Sequence, residues 1–150
     1  MIFRGTFEHT LDAKHRLTVP AKYRSDLKAG LVLAISPETA PGTPRSLAVW
    51  TVPDHEAYTT AALARLNPLS PQARELKRTL FAWSFETELD SANRVMIPTH
   101  LLDYAGLDRD VTLIGAGECL EIWDRDTYAG YNEGLLARFP EIAASFDHTD

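Results

Sequence analysis

The sequence predicts a mixed α+β, β-rich protein built from two tandem copies of one small unit, and three observations carry that reading. First, Leu11-Asp-Ala-Lys-His-Arg-Leu-Thr-Val-Pro20 recurs as Leu89-Asp-Ser-Ala-Asn-Arg-Val-Met-Ile-Pro98, with Asp12/Asp90 and Arg16/Arg94 both 78 residues apart. Second, the likeness continues in order: Leu31–Ile35 answers Asp110–Ile114, Leu47–Trp50 answers Leu120–Trp123, and Tyr58 answers Tyr131, each eight residues beyond its tryptophan. Third, 45% of the 150 residues are apolar and 24% charged, which supports a core without help from disulfides or metal.

Each copy reads the same way. Thr6–Leu11 and Phe85–Leu89 have strand character and stop at Asp12 and Asp90. Three loop residues follow, then a second hairpin strand from Arg16 or Arg94. Pro20 and Pro98 suit the first turn of a short helix, where no backbone donor is needed, and Gly30 and Gly106 end those helices. Two more strands follow. The first copy joins them by the Pro-rich loop Pro37–Arg45, a solvated connection, and the second by the short Gly115–Glu118.

An amphipathic helix closes each copy. The first begins near Asp54 as N-cap, with Pro53 before it; the second begins near Asp126. In the second, Tyr128, Tyr131, Leu135 and Phe139 recur on one face and are expected in the core. Between the copies, Pro71–Ser84 reads as a helix with Ala73, Leu76, Leu80 and Trp83 on one stripe. The divisions expected are a first repeat with its helix over 1–66, a connecting helix over 67–84, a second repeat with its helix over 85–139, and a tail over 140–150 that frays around His148.

Several function classes drop out. The single Cys119 allows no internal disulfide and argues against a structural zinc site; a small core residue is its expected role. His9, His15, His55, His100 and His148 form no ligand spacing, so no metal site is expected. Gly115-Ala-Gly117 lacks the rest of a dinucleotide fingerprint and falls in a strand turn. No cofactor and no small-molecule substrate are expected. Without a membrane-length apolar run or a signal peptide, the chain is expected to be cytoplasmic, with no membrane partner.

The net charge of −6 is unevenly spread. Residues 1–30 hold six basic groups against three acidic ones, whereas residues 118–150 hold eight acidic against two basic. The first thirty residues therefore suit a phosphate-facing surface, although such a stretch also suits a plain solvated face.

The Asp-x-x-x-Arg loops are the sharpest feature. Asp12 and Arg16 flank three residues and should lie opposite each other across a hairpin. The last loop residue, His15 or Asn93, should take the left-handed conformation. The aspartate can accept from loop amides and orient the arginine fork beside it. Two readings follow: Asp and Arg only lock the hairpin, or Arg16 and Lys14 also project from a rigid tip toward phosphate or a guanine edge. Two repeat-related aspartates also invite comparison with two-lobed aspartic proteases. Those enzymes share a proton between adjacent carboxylates, whereas an arginine four residues on holds each of these ionised, so no enzyme is expected.

The segment from Phe3 to Arg24, and its counterpart from Leu89 to Leu107, resemble the two motifs of the MraZ family, and the resemblance covers nearly the whole chain. It implies two AbrB-like swapped-hairpin units forming a pseudo-two-fold barrel with flanking helices, and subunits assembling into a homo-oligomeric ring. It further implies a bacterial transcription regulator, associated with the nucleoid, that binds short direct repeats of double-stranded DNA before the division and cell-wall gene cluster and its own promoter. By matching position, Asp12, Arg16, Asp90 and Arg94 are the motif residues. Lys14 matches the family's basic loop residue, while Ala92 holds that place in the second copy, so the first copy is the stronger candidate for contact. Lys22 and Arg24 match basic family positions. The family usually has Gly where this chain has His15 and Asn93; His15, beside Arg16, is a further candidate contact. The alternative is a non-catalytic protein-interaction or antitoxin-like module of the same fold.

Overall fold

The computed structural model describes residues 2–38 and 40–145; His148 lies outside the described residues. In chain order the elements are β1 (Thr6–Thr10), β2 (Arg16–Thr18), α1 (Ala21–Leu27), β3 (Leu31–Ile35), β4 (Leu47–Thr51), α2 (Val52–Leu63), α3 (Pro71–Ala82), β5 (Ser84–Thr87), β6 (Arg94–Met96), α4 (Thr99–Ala105), β7 (Asp110–Gly115), β8 (Leu120–Asp124) and α5 (Arg125–Ala144). The mixed α+β, strand-rich class and the repeated element order agree with the sequence.

The strand pairing departs from expectation. β1 and β2 do not pair with each other: β1 runs antiparallel to β7 of the second repeat, and β2 pairs with β6. β5 of the second repeat in turn pairs with β3 of the first, so the two copies interleave. The result is a six-stranded sheet in the order β1-β7-β8-β4-β3-β5 and a separate two-stranded ribbon. No ladder joins β1 to β5 among the described residues, so the sheet is open and the expected closed barrel does not form.

Both sheet faces are covered, which is why Leu31–Ile35 and Leu47–Thr51 read as continuous apolar runs rather than alternating ones. One face, through Leu31, Leu33, Leu47, Val49, Leu113 and Ile122, packs on the ribbon and on α1 and α4. The other carries Val32, Ala34, Ala48, Trp50 and Cys119, with Tyr58 of α2 against them. There the repeated Trp/Tyr spacing becomes two matching stacks: Trp50 on Tyr58 at 4.8 Å and Trp123 on Tyr131 at 5.1 Å between centroids. Cys119 is a core residue as expected, and burial, with Glu121 and Glu118 adding, pushes its thiol up to about 12.

Helix starts differ in detail. Pro20 and Pro98 precede α1 and α4, and Gly106 closes α4 in the left-handed conformation. α2 is capped by Thr51, whose Oγ1 accepts from the Asp54 amide at 3.2 Å, rather than by Asp54 itself. The helix leaves β4 without a loop, so the last strand residue does the capping. α5 is likewise capped two residues earlier than expected, by Asp124. α3 is capped by Ser70 and stops at Ala82 because Ser84 opens β5.

α5 corrects the expectation of a core stripe. No residue of this helix is fully buried, and Leu136, Phe139 and Ile142 are exposed. Tyr128 and Tyr131 rest half-buried against Trp123, but the helix runs on past Pro140 to Ala144, and beyond Leu135 its residues are exposed apart from a half-buried Ala143.

Candidate nucleic-acid interface

The two Asp-x-x-x-Arg loops fold into near-identical clamps. In the first, Asp12 Oδ1 accepts from the amides of Lys14 and Arg16, both at 2.9 Å, and Oδ2 accepts from Arg16 Nε at 2.6 Å. In the second, Asp90 Oδ1 accepts from Ala92 and Arg94 at 2.9 Å, and Oδ2 from Arg94 Nε at 3.0 Å. Backbone bonds close each loop, with the His15 and Asn93 amides donating to the Asp12 and Asp90 carbonyls. Three donors on one carboxylate hold it ionised, as expected from the sequence. The Arg16 amide is the largest influence on Asp12, whose pKa falls to about 2, and Asp90 is lowered in the same way by Arg94.

His15 and Asn93 have φ of 57° and 60°, the left-handed conformation expected at the third loop position. That conformation turns each residue's carbonyl toward the other repeat. The Ile97 amide donates to His15 O and the Val19 amide to Asn93 O, both at 3.0 Å. These two bonds extend the ribbon beyond its strands, so tip geometry and assembly of the repeats are coupled.

Register then sorts the side chains. Arg16 faces Met96, Leu17 faces Val95 and Thr18 faces Arg94. Leu17 and Val95 point into the core, each 2% exposed, so Arg16, Thr18, Arg94 and Met96 share the outer face. The two arginines are diagonal neighbours, on the order of 7–8 Å apart by sheet geometry. Each uses Nε on its aspartate, and neither guanidinium's terminal nitrogens have a partner among the described residues. This leaves the end of each fork for a bidentate acceptor.

Other sequence candidates are placed less centrally. Lys14 and His15 are exposed at the first tip. Lys22 is exposed on α1, its ammonium 5.6 Å from the Tyr23 ring centre. Arg24 Nε donates to Val19 O at 2.9 Å and so braces the turn from ribbon to helix. Thr18 and Met96 were not singled out from the sequence. The alternation in Arg-Leu-Thr and Arg-Val-Met could have put them on the arginines' face, once the two strands were paired with each other.

Two consequences are testable here. Asp12 binds no proton in the native state until well below the ordinary carboxylate range, so its contribution to stability is full above about 3.8 and is lost as pH falls through about 2. An acid unfolding series should therefore show Asp12→Asn flattening the wild-type loss between pH 4 and 2. A parallel curve would remove Asp12 from the acid response. At position 15, glycine relieves a left-handed histidine at some entropic cost, so His15→Gly should change stability by less than about 1 kcal/mol. His15→Val should destabilise by more than that, because a β-branched residue resists positive φ and the Ile97 bond depends on it. Thermal melts of both variants check this.

The geometry defines a tandem-repeat protein in which two arginine clamps share one exposed ribbon. The MraZ protein family, described as antitoxin-like, matches twice, over residues 2–79 and 80–147, and the chain belongs to that family. The Transcriptional regulator MraZ of Mycoplasmoides gallisepticum is 36% identical over 146 residues, covering 97% of this chain and 98% of that protein. The proteins of the same name from Nocardioides sp. and Thermobifida fusca are 37% and 38% identical, covering 99% and 95% of this chain and 99% and 94% of theirs. The chain thus stands with regulators rather than with an enzyme family. Among the described residues no helix is long and apolar enough to cross a membrane.

Proposed function

We propose that this chain is a sequence-specific DNA-binding transcriptional regulator that reads the duplex with the outer face of the β2–β6 ribbon. The supporting observation is the register that puts Arg16, Thr18, Arg94 and Met96 on one exposed face over a buried Leu17–Val95 pair. A two-stranded ribbon fits the major groove. There arginine forks address guanine O6 and N7, and an apolar side chain such as Met96 can meet a thymine methyl. Lys14, His15 and Lys22 flank the ribbon as phosphate contacts, with Lys14 making the first tip the stronger one.

One ribbon makes few contacts, and this subunit is acidic overall. In the reading proposed here, several copies assemble into a ring and engage short direct repeats upstream of the chain's own operon, in the bacterial cell-division and cell-wall gene cluster. Later contacts are then nearly intramolecular, which multiplies avidity without a new contact type. The protein would accordingly work in the cytoplasm on the nucleoid. The family description as antitoxin-like favours a second reading, a protein-interaction module of the same fold.

Binding to duplexes carrying one, two or three copies of the upstream repeat separates the two. The regulator reading expects affinity to rise more than additively with repeat number and to collapse when the spacing is scrambled. Weak binding independent of repeat number would favour the protein-interaction module.

A further inference from the structure

The outer face of the sheet carries a cleft that the ribbon does not use. Ser36, Trp50, Tyr58, Glu118, Cys119 and Glu121 line a cavity of about 150 Å³. Trp50, Tyr58 and Glu118 also border a larger groove of about 600 Å³, edged by Asp54, Ala57 and Ala61 along α2. Cavity and groove together make one elongated site with a deep end and an apolar runway.

The deep end is polar and unsatisfied. Ser36 is 3% exposed and its Oγ has no hydrogen-bond partner among the described residues. Such a buried hydroxyl is unfavourable unless something fills its bonding capacity. Glu118 and Glu121 enter no ion pair among the described residues, although Glu121 accepts from the Trp123 indole N–H at 3.1 Å. Asp54 adds a third carboxylate at the outer edge. No cationic side chain lines cavity or groove among the described residues; Arg65 stands just beyond the end of α2. The stacked Trp50–Tyr58 pair forms the wall, and aromatic rings attract cations as well as aliphatic chains.

We propose that this cleft binds an organic cation, a guanidinium or primary ammonium head on an aliphatic stem. The head sits between Glu118 and Glu121 and donates to Ser36 Oγ, and the stem lies along the apolar groove beside Ala57 and Ala61. A cavity of about 150 Å³ holds a head group but no folded segment. The charge selects against anions, and the aromatic wall and apolar groove beside the head favour a cation that carries an aliphatic stem.

Agmatine, a free molecule with both head groups, and N-acetyl-arginine methylamide, which stands for an arginine borne on a polypeptide, are the probes. Both are titrated calorimetrically into the full-length protein at low ionic strength, with Glu118→Gln, Glu121→Gln, Ser36→Ala and Glu141→Gln beside wild type. Glu141, on the far part of α5, controls for general acidity. The expected result is saturable binding of at least one probe, about tenfold or more weaker in each Glu cleft variant, a few-fold weaker in Ser36→Ala, and unchanged in Glu141→Gln. Tighter binding of agmatine assigns a free small molecule, and tighter binding of the arginine derivative assigns a polypeptide side chain. Absence of saturable heat with both probes overturns the proposal, as does equal weakening by Glu141→Gln. Glu118 is exposed, so its variant keeps the test decisive even if Glu121→Gln does not fold.

Discussion

Replacing Arg16 with alanine is expected to weaken binding to the repeat-containing upstream DNA by about a hundredfold or more, because one bidentate arginine–guanine contact is worth about 1–3 kcal/mol and every subunit of an assembly loses it together. The fold should survive. Arg16 is half-exposed, Asp12 keeps its bonds from the loop amides, and Leu17, the residue that ties the strand to the core, is untouched. Arg94→Ala should cost less, since its loop carries Ala92 where the first carries Lys14. Fluorescence anisotropy with the operator and a scrambled duplex measures both, with thermal melts as the control. If Arg16→Ala retained wild-type affinity, the ribbon face would not be the reading surface, whatever the fate of the regulator assignment.

The second large effect concerns stability. A Cβ added at Gly115 would lie 2.3 Å from the Arg4 amide nitrogen and 2.4 Å from Arg4 Cα and the Phe3 carbonyl carbon. These are backbone atoms, and the segment that carries them cannot easily retreat. Phe3 is 1% exposed and packs on Tyr23 at 5.1 Å, and the Tyr23 hydroxyl donates to the Arg4 carbonyl. Phe3 also pairs with Gly117 across the same turn. Gly115→Ala must therefore either strain the β7–β8 turn or lift Phe3 from the core. The expected loss is about 3 kcal/mol, a fall in Tm of roughly 6–12 °C for a chain of this size. Gly130→Ala, in the open interior of α5, should instead stabilise by about 0.5–1 kcal/mol. A Gly115→Ala melt indistinguishable from wild type would mean that the N-terminal segment does not cross the turn as described.

Features with a local cause were legible in the sequence. The loop count between Asp12 and Arg16 was enough to place His15 in the left-handed region, and the same count placed Asn93 there. The common spacing of eight from tryptophan to tyrosine matched two real stacks, because one helix follows each second strand without a connecting loop.

Partner choice between strands was not legible. Nothing in Thr6–Thr10 says that it pairs with Asp110–Gly115 rather than with Arg16–Thr18, since both fit the alternation. A closed barrel was likewise underdetermined: continuous apolar runs require two covered faces but do not say whether the sheet's edges meet. The face of α5 looked like core because aromatic spacing does not record how far the sheet extends beneath a helix. The cleft was invisible for another reason. Its residues come from Ser36, Trp50, Tyr58 and the Glu118–Glu121 segment, brought together by the β3–β4 and β4–β8 pairings. The Arg16–Met96 face lay hidden in the same way, because it exists only once the two copies share a ribbon.

The most direct test of the central claim is a salt series of DNA binding by the full-length protein, using the segment upstream of its gene and a scrambled duplex of equal length. The account predicts a clear preference for the native segment at every salt concentration. It also predicts a linear fall of log affinity with log salt, whose slope reports the phosphates engaged by Lys14, Lys22 and their copies in the assembly. Equal and negligible affinity for both duplexes across the series would contradict it.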